Sequence, residues 1–360
     1  MLYSQAVQIQ EHVSLAPLTT LRIGGPARYL ARAESEADLL EALEFARRKG
    51  LPLFVLGGGS NLLVADQGFD GVVAQIGLMG APVFEEGREW VLCTVAAGAD
   101  WDGFVAETCR RGLTGVECLA GIPGLVGGTP VQNVGAYGQE VANTIVTVRA
   151  LDLATSRFVT LTGTECGFAY RSSRFNTTHR GRYVVTAVTF RLRHEGAPNL
   201  SYRDLRQHFA GSGSVPAPTE VYHAVRSIRH AKGMLLVEGE PDCRSAGSFF
   251  KNPVVTLGTL GTLGMLERIG AAVGVPPEEV PNWPAAEGLT KLPAAWLVEK
   301  AGFHKGFALG AAGISSRHTL ALINRGGATQ VEMVALRDHI QETVYERFGV
   351  RLEQEPVMLP

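Results

Sequence analysis

The residues best suited to chemistry stand in Ala246-Gly247-Ser248-Phe249-Phe250-Lys251-Asn252-Pro253, where a serine and an amide lie among two aromatics and two backbone-bending residues. Far upstream are two glycine loops, Gly57-Gly58-Gly59-Ser60-Asn61 and Gly121-Ile122-Pro123-Gly124, and far downstream the acidic pair Glu353 and Glu355. Consecutive glycines after a strand allow a sharp turn and direct several N–H groups at one anion with no side chain in the way. A diphosphate is the natural guest. A lone G-G-G-S is more often plain turn punctuation, and the spacing matches neither the P-loop nor G-x-G-x-x-G. The second loop shifts the reading, because it continues through Gly127-Gly128-Thr129 to Gln132-Asn133-Val134-Gly135-Ala136-Tyr137-Gly138, which is poor core material. Backbone donors from two loops would grip a pyrophosphate from both sides, with Asn133 and Tyr137 addressing a ring edge or a substrate; a glycine-rich surface loop is the alternative. Together with the distant serine and carboxylate, the loops imply a nucleotide cofactor serving a separately built substrate site, and hence an enzyme.

The elements that must position these groups follow from local pattern. Ser35 and Asp38 mark a helix start, and Leu39, Leu40, Leu43 and Ala46 recur at helical spacing until Gly50. Residues 53–56 form a short buried-strand pattern running straight into the first glycine loop. Residues 91–97 read as a strand and 101–111 as a helix ending at Gly112, before residues 116–119 lead into the second loop. Beyond residue 144 the pattern is β-rich, with residues 146–148 and 184–192 the best strands. Residues 211–218 are the best linker candidate, 221–229 and 286–298 read as helices, and Thr329 with Glu332 opens a last helix whose apolar stripe is Met333, Leu336, Ile340, Val344 and Phe348. A terminal strand then delivers Glu355.

Bulk properties exclude other classes. A chain of 360 residues favours more than one core, and a formal charge of −2 provides no basic field for nucleic acid. No apolar run reaches the roughly 20 residues of a membrane span, and the start lacks the pattern of a signal peptide, so a cytoplasmic protein without a membrane partner is expected. The five cysteines, Cys93, Cys109, Cys118, Cys166 and Cys243, show no paired spacing, and the nine histidines form no ligand set, so no metal is expected.

Five stretches in order resemble the UDP-N-acetylenolpyruvoylglucosamine reductase family: Thr20-Leu21-Arg22-Ile23-Gly24-Gly25, Leu56 to Asn61, Gly121 to Gly138, Tyr170-Arg171-Ser172-Ser173-Arg174-Phe175, and Ala246 to Pro253. The resemblance extends from Thr20 to Glu355. It implies an α+β fold: an FAD-binding region of two α+β subdomains, similar to the vanillyl-alcohol oxidase type, over residues 1–74 and 75–215, a separate α+β substrate domain over 216–327, and a C-terminal helix and strand, 328–360, closing the active site. FAD would lie between the glycine loops, facing Ser248. Gly57, Gly58, Gly59, Ser60, Asn61, Gly121, Ile122, Pro123, Gly124, Gly128, Asn133 and Gly135 would bind it.

The implied reaction passes a hydride from NADPH through FAD to the enolpyruvyl ether of UDP-N-acetylglucosamine-enolpyruvate, giving UDP-N-acetylmuramate for peptidoglycan. By motif match Ser248 donates the proton, Arg171 holds the substrate carboxylate or enolate oxygen, and Glu355 is the second catalytic acid. Tyr137, Tyr170, Tyr202, Lys232 and Asn252 would meet the substrate, Tyr202 capping it as in one subgroup, and the protein is expected to be a monomer. The chain departs from one common form of the family where Lys232 is followed by Gly233-Met234-Leu235-Leu236 in place of Leu-Pro-Asp-Pro, with a longer segment before Ser248. Within enzymes the alternative is an alcohol or hydroxy-acid oxidase on the same FAD-binding fold; outside them, a non-catalytic sugar-nucleotide-binding protein.

Overall fold

In a computed structural model the described residues are 7–194, 196–256, 262–285 and 288–360. They form two compact units. The first comprises Met1–Ser14, Pro26–Gly59 and Phe69–Ala231; the second comprises Leu15–Gly25, Ser60–Gly68 and Lys232–Pro360.

The first unit contains two sheets. One has the order Ile9–Ser14, Pro26–Ala33, Phe69–Ile76, Leu53–Leu56, antiparallel at the first pair and parallel thereafter. The crossover between Pro26–Ala33 and Leu53–Leu56 is helix Glu36–Lys49. It opens on the expected capping box of Ser35 with Asp38, ends at Gly50 with φ 65°, and buries Leu39, Ala42, Leu43 and Ala46. The other sheet is antiparallel, ordered Arg157–Thr162, Ile145–Asp152, Tyr183–Arg193, Trp90–Ala96, Val83–Glu86. Helix Trp101–Arg110, capped by the Asp100 carboxylate, buries Trp101, Phe104 and Val105 in the same core.

Helix Pro218–Ala231 belongs to this unit, since Val221, Ala224 and Val225 are buried in its core. Residues 211–217 are therefore a loop inside one unit, and Pro218 opens the helix, rather than the stretch being a linker between domains. The expected boundary near residue 215 moves to Ala231 because the apolar stripe of that helix packs against helix Trp101–Arg110, a match that composition does not reveal.

In the second unit, helix Gln330–Phe348 carries the expected stripe, its capping box of Thr329 with Glu332, and Gly349 at φ 75°. Strand Val357–Leu359 pairs in parallel with Leu62–Val64, which draws an N-terminal stretch into the C-terminal unit. Leu21, Ile23 and Leu63 are buried there with Phe249, Phe250, Leu297 and Met333. The expected division at residue 74 thus passes over two N-terminal stretches whose partners lie in the last third of the chain. Of the helix expected over 286–298, residues 286 and 287 lie outside the described set; the rest is strand Leu289–Lys291 and helix Ala294–Lys300. Pro293 explains the change, because its ring keeps the preceding residue extended and the helix begins behind it.

All five cysteines are buried, and burial pushes the Cys93 and Cys109 thiols up to about 12 and Cys166 to about 11, so these groups are inert filling. No helix among the described residues is long and apolar enough to cross a membrane.

The excursion that carries Tyr170 and Arg171 is closed at its base by an ion pair. Arg182 donates Nε and Nη2 to the buried Asp152 carboxylate at 3.1 and 2.8 Å, and the Leu153 N–H donates to the Arg182 carbonyl at 2.8 Å. The Arg182 hydrogen bonds hold the Asp152 pKa down to about 2. A carboxylate depressed in the folded state stabilises it above its unfolded value, about 4, and loses that contribution as pH falls through the folded value. Asp152→Asn is therefore expected to be less stable than the native chain in urea at pH 7, with the gap closing between about pH 4 and pH 2. An equal gap at both ends of that range would refute the assignment.

Candidate active site

The glycine loops of the first unit meet through bare backbone. A Cβ on Gly58 would lie 2.8 Å from the Gly124 Cα, so only glycine permits this approach. The second loop is pinned from behind: Gly124 O accepts the Trp101 N–H at 3.1 Å, and the N–H groups of Val126 and Gly127 donate to Ala99 and Ala97 carbonyls at 2.9 Å each. In front, a Cβ on Gly57 or on Gly128 would meet nothing within 4 Å. The result is a main-chain cradle, rigid behind and open before, that suits a diphosphate. Ile122 and Pro123, within the second loop, are half-buried.

Gly121, with φ 68°, is held on both sides by side chains that sequence reading missed. Its N–H donates to Asp102 Oδ1 at 2.6 Å, and its carbonyl accepts Arg229 Nε at 3.0 Å. Asp102 Oδ2 also accepts the Tyr222 hydroxyl at 3.3 Å and pairs with Arg226. Burial lowers the Arg229 pKa, and the guanidinium hydrogen-bonds the Tyr137 side chain. The one sequence signal was the spacing of Arg226 and Arg229 on a predicted helix, which alone reads as a solvated face.

Three non-glycine residues at the expected positions have left-handed backbone: Asn133 at φ 47°, Tyr137 at 48° and Arg171 at 53°. Such conformations cost energy and persist where surroundings enforce them. The buried Asn133 amide donates to Glu140 Oε2 at 2.8 Å and Ala169 O at 3.0 Å, and its Oδ1 accepts the Ala142 N–H at 3.1 Å. Its side chain is thus an internal brace. Tyr170 and Arg171 form the tip of a tight turn closed by reciprocal hydrogen bonds between Ala169 and Ser172. Arg171 donates Nη2 to the Gly135 carbonyl at 2.7 Å and lies 5.4 Å from the Tyr170 ring. Tyr137 is buried, and its ring meets that of the more exposed Tyr202 edge-on at 5.2 Å. Tyr202 itself is the N-cap of helix Arg203–His208.

The second unit holds the other predicted groups. The segment after Ser248 pairs with the chain end: Glu355 N–H donates to Phe249 O at 2.8 Å, Phe250 bridges Gln354, and Lys251 N–H donates to Glu353 O at 2.9 Å. Ser248 and Glu355 are thereby brought to the same end of one antiparallel pairing, both half-buried. Ser60 and Asn61, grouped by sequence with the first glycine loop, belong to this unit. Ser60 O accepts the Thr20 hydroxyl at 3.4 Å, and Asn61 donates Nδ2 to the Glu355 carbonyl at 3.2 Å. Asn252 caps helix Ala294–Lys300, its Oδ1 accepting the Ala294 N–H at 2.9 Å, which leaves its NH₂ as the end that can address a ligand. Lys232 opens the unit's longest stretch near His318, whose pKa burial lowers to about 4 with the Lys232 and Lys305 charges adding. Arg171 lies in the first unit, apart in chain and unit from Ser248 and Glu355.

Comparison with known proteins follows the same division. The FAD binding domain model matches residues 27–162, and the model for the UDP-N-acetylenolpyruvoylglucosamine reductase C-terminal domain matches residues 240–359. A Thermobifida fusca (strain YX) protein named UDP-N-acetylenolpyruvoylglucosamine reductase is 44% identical over 350 residues, 97% of each chain. One of the same name from Nocardia farcinica is 47% identical over 356 residues, 97% of this chain and 89% of that one. The chain belongs to the UDP-N-acetylenolpyruvoylglucosamine reductase family. The crystal structure of the Thermus caldophilus reductase superposes with a TM-score of 0.65 at 26% identity, covering 98% of this chain and 99% of that one.

In this reductase family member both glycine loops lie in the FAD-binding match, while Ser248, Asn252 and Glu355 lie in the C-terminal match. The oxidase and non-catalytic alternatives account for the first match only. The open cradle fits FAD in that a flexible dinucleotide phosphate needs room against bare main chain, and Gly57 and Gly128 leave that room. A test separates room from packing. Gly57→Ala, with no neighbour to strike, should leave apoprotein stability within about 0.5 kcal/mol yet weaken FAD binding, read by quenching of flavin fluorescence. Gly58→Ala should cost the apoprotein about 1–3 kcal/mol by overpacking. Equal FAD affinity in Gly57→Ala and the native protein would rule out that face of the cradle.

Proposed function

We propose that the chain performs the reaction for which its family is named, the FAD-dependent reduction of UDP-N-acetylglucosamine-enolpyruvate to UDP-N-acetylmuramate, with NADPH as hydride source, in peptidoglycan-precursor synthesis. The observation that supports the residue assignment best is the pairing of the strip after Ser248 with the strip before Pro356, anchored by the Glu355 N–H on the Phe249 carbonyl at 2.8 Å. Bound FAD would supply the hydride carrier between NADPH and the terminal enolpyruvyl carbon. The protein's own groups handle charge and the proton.

Hydride addition to the terminal carbon leaves negative charge on the carbon beside the carboxylate, spread as an enolate. In this reading Ser248 delivers a proton from its hydroxyl to that carbon, which a weak acid achieves when water is excluded and a neighbour polarises it. Glu355 polarises the enolpyruvyl group or relays the proton. The Arg171 guanidinium holds a carboxylate or enolate oxygen with charge-assisted hydrogen bonds that strengthen as charge develops. Its bond to Gly135 O and its stacking on Tyr170 hold the group in orientation beforehand. Tyr202, Lys232 and the Asn252 NH₂ are assigned to the sugar nucleotide. The proposal includes a cytoplasmic monomer, the oligomeric part of which sedimentation of the holoprotein decides.

Anaerobic stopped-flow absorbance separates the half-reactions. Ser248→Ala is expected to leave flavin bleaching by NADPH nearly intact and to slow reoxidation by the enolpyruvyl substrate by about 10²- to 10⁴-fold. Two unchanged half-reactions would remove Ser248 from the role of proton donor.

A further inference from the structure

Resting on the assignment of Lys232 to the substrate diphosphate, we propose that Asp242 is a positioning residue that latches the segment after Lys232 onto the turn at residues 315–318 and so sets the lysine in register. The segment between Lys232 and Ser248 belongs to the second unit. Gly233, next to Lys232, has φ +64°, and a Cβ there would lie 3.3 Å from each of Asp242 Cβ, Arg317 Cδ and Ser315 Oγ. The residue after the lysine is therefore packed directly against the latch.

Asp242 is buried and both its oxygens are engaged. Oδ1 accepts the Ser316 N–H at 3.1 Å and Oδ2 the Ser316 hydroxyl at 2.7 Å, with Arg317 Nε 3.6 Å from Oδ2. Arg317 Nη1 also meets Glu240 Oε2 at 2.8 Å, so one guanidinium spans the Glu240 and Asp242 carboxylates. The segment is closed on itself by Cys243, whose Sγ donates to Leu235 O at 3.0 Å and accepts the Val237 N–H at 3.2 Å. On the other side of the latch, Ser315 Oγ accepts the N–H groups of Arg317 and His318 at 3.0 and 3.3 Å. His318 Nδ1 accepts the Leu320 N–H at 3.1 Å, which places the proton of the neutral ring on Nε2.

A buried carboxylate taking two hydrogen bonds from one residue fixes geometry more than it adds stability. Loss of the latch should act on the ligand through Lys232 and nowhere else. The experiment is a double-mutant cycle on the FAD-loaded enzyme, with UDP affinity from calorimetry and KM and kcat for the enolpyruvyl substrate. Asp242→Ala and Lys232→Ala are each expected to weaken UDP roughly tenfold and raise KM while kcat changes little, and the double variant is expected to be no worse than Lys232→Ala alone. Asp242→Asn, which keeps an acceptor for Ser316, should recover part of the loss and guards against a folding defect. If Lys232→Ala leaves UDP binding unchanged, the assignment of Lys232 fails and the latch with it. If Lys232→Ala weakens UDP but the Asp242 variants do not, or if the two losses simply multiply, Asp242 is structural and the latch alone is overturned.

Discussion

The second unit depends on the pairing of the chain end with two distant strips. Residues 353–355 run antiparallel to the strip that follows Ser248, and Val357–Leu359 continues in parallel beside Leu62–Val64. One extended segment thus satisfies backbone donors and acceptors of two others that contribute to a common core, Leu63 with Phe249 and Phe250. Buried backbone polar groups tolerate few gaps, so this shared strip leaves little freedom to either partner. Ser248 and Glu355, distant along the chain, inherit their proximity in space from it. The Asn61 amide, separated by 294 residues from the Glu355 carbonyl it meets, ties the same strip a third time.

The first unit solves a different problem, that of presenting main chain to an anion without collapsing. Glycines bring two loops within backbone contact, and anything with a side chain at Gly58 would force them apart. Bare loops are also soft, and the side chains of Asp102 and Arg229 compensate by fixing the N–H and carbonyl of Gly121. The same logic covers the left-handed residues. Asn133 holds its strained backbone with three side-chain hydrogen bonds, and Arg171 is anchored to Gly135 within the same glycine-rich run. Strain and bracing occur at the positions where the family resemblance places chemistry.

Charge is arranged with similar economy. The thiols of the first unit are buried and protonated, which removes competing nucleophiles from a redox protein. His318 stays neutral near Lys232, while Asp242 and Glu240 take the Arg317 charge on the far side of Gly233.

Much of this was legible in the sequence wherever the determining forces are local. Capping boxes at Ser35 and Thr329, left-handed glycines at Gly50 and Gly349, and the apolar stripe of the last helix are set by contacts within a turn or two, and they stand where spacing placed them. The order of the motifs, read as a resemblance, led to the family that comparison established. What only the tertiary structure decided concerns partners far apart in the chain. Ser60 and Asn61 follow three glycines in sequence but fold with the C-terminal unit. Helix Pro218–Ala231 follows a Gly/Ser/Pro-rich stretch but packs into the first core, and Asn133 spends its amide on an internal brace. The physical reason is common to all three. Residue type and spacing determine which backbone conformations and faces are favourable, whereas which face covers which, and which donor meets which acceptor, is settled by burial and pairing between segments whose separation along the chain leaves no local mark.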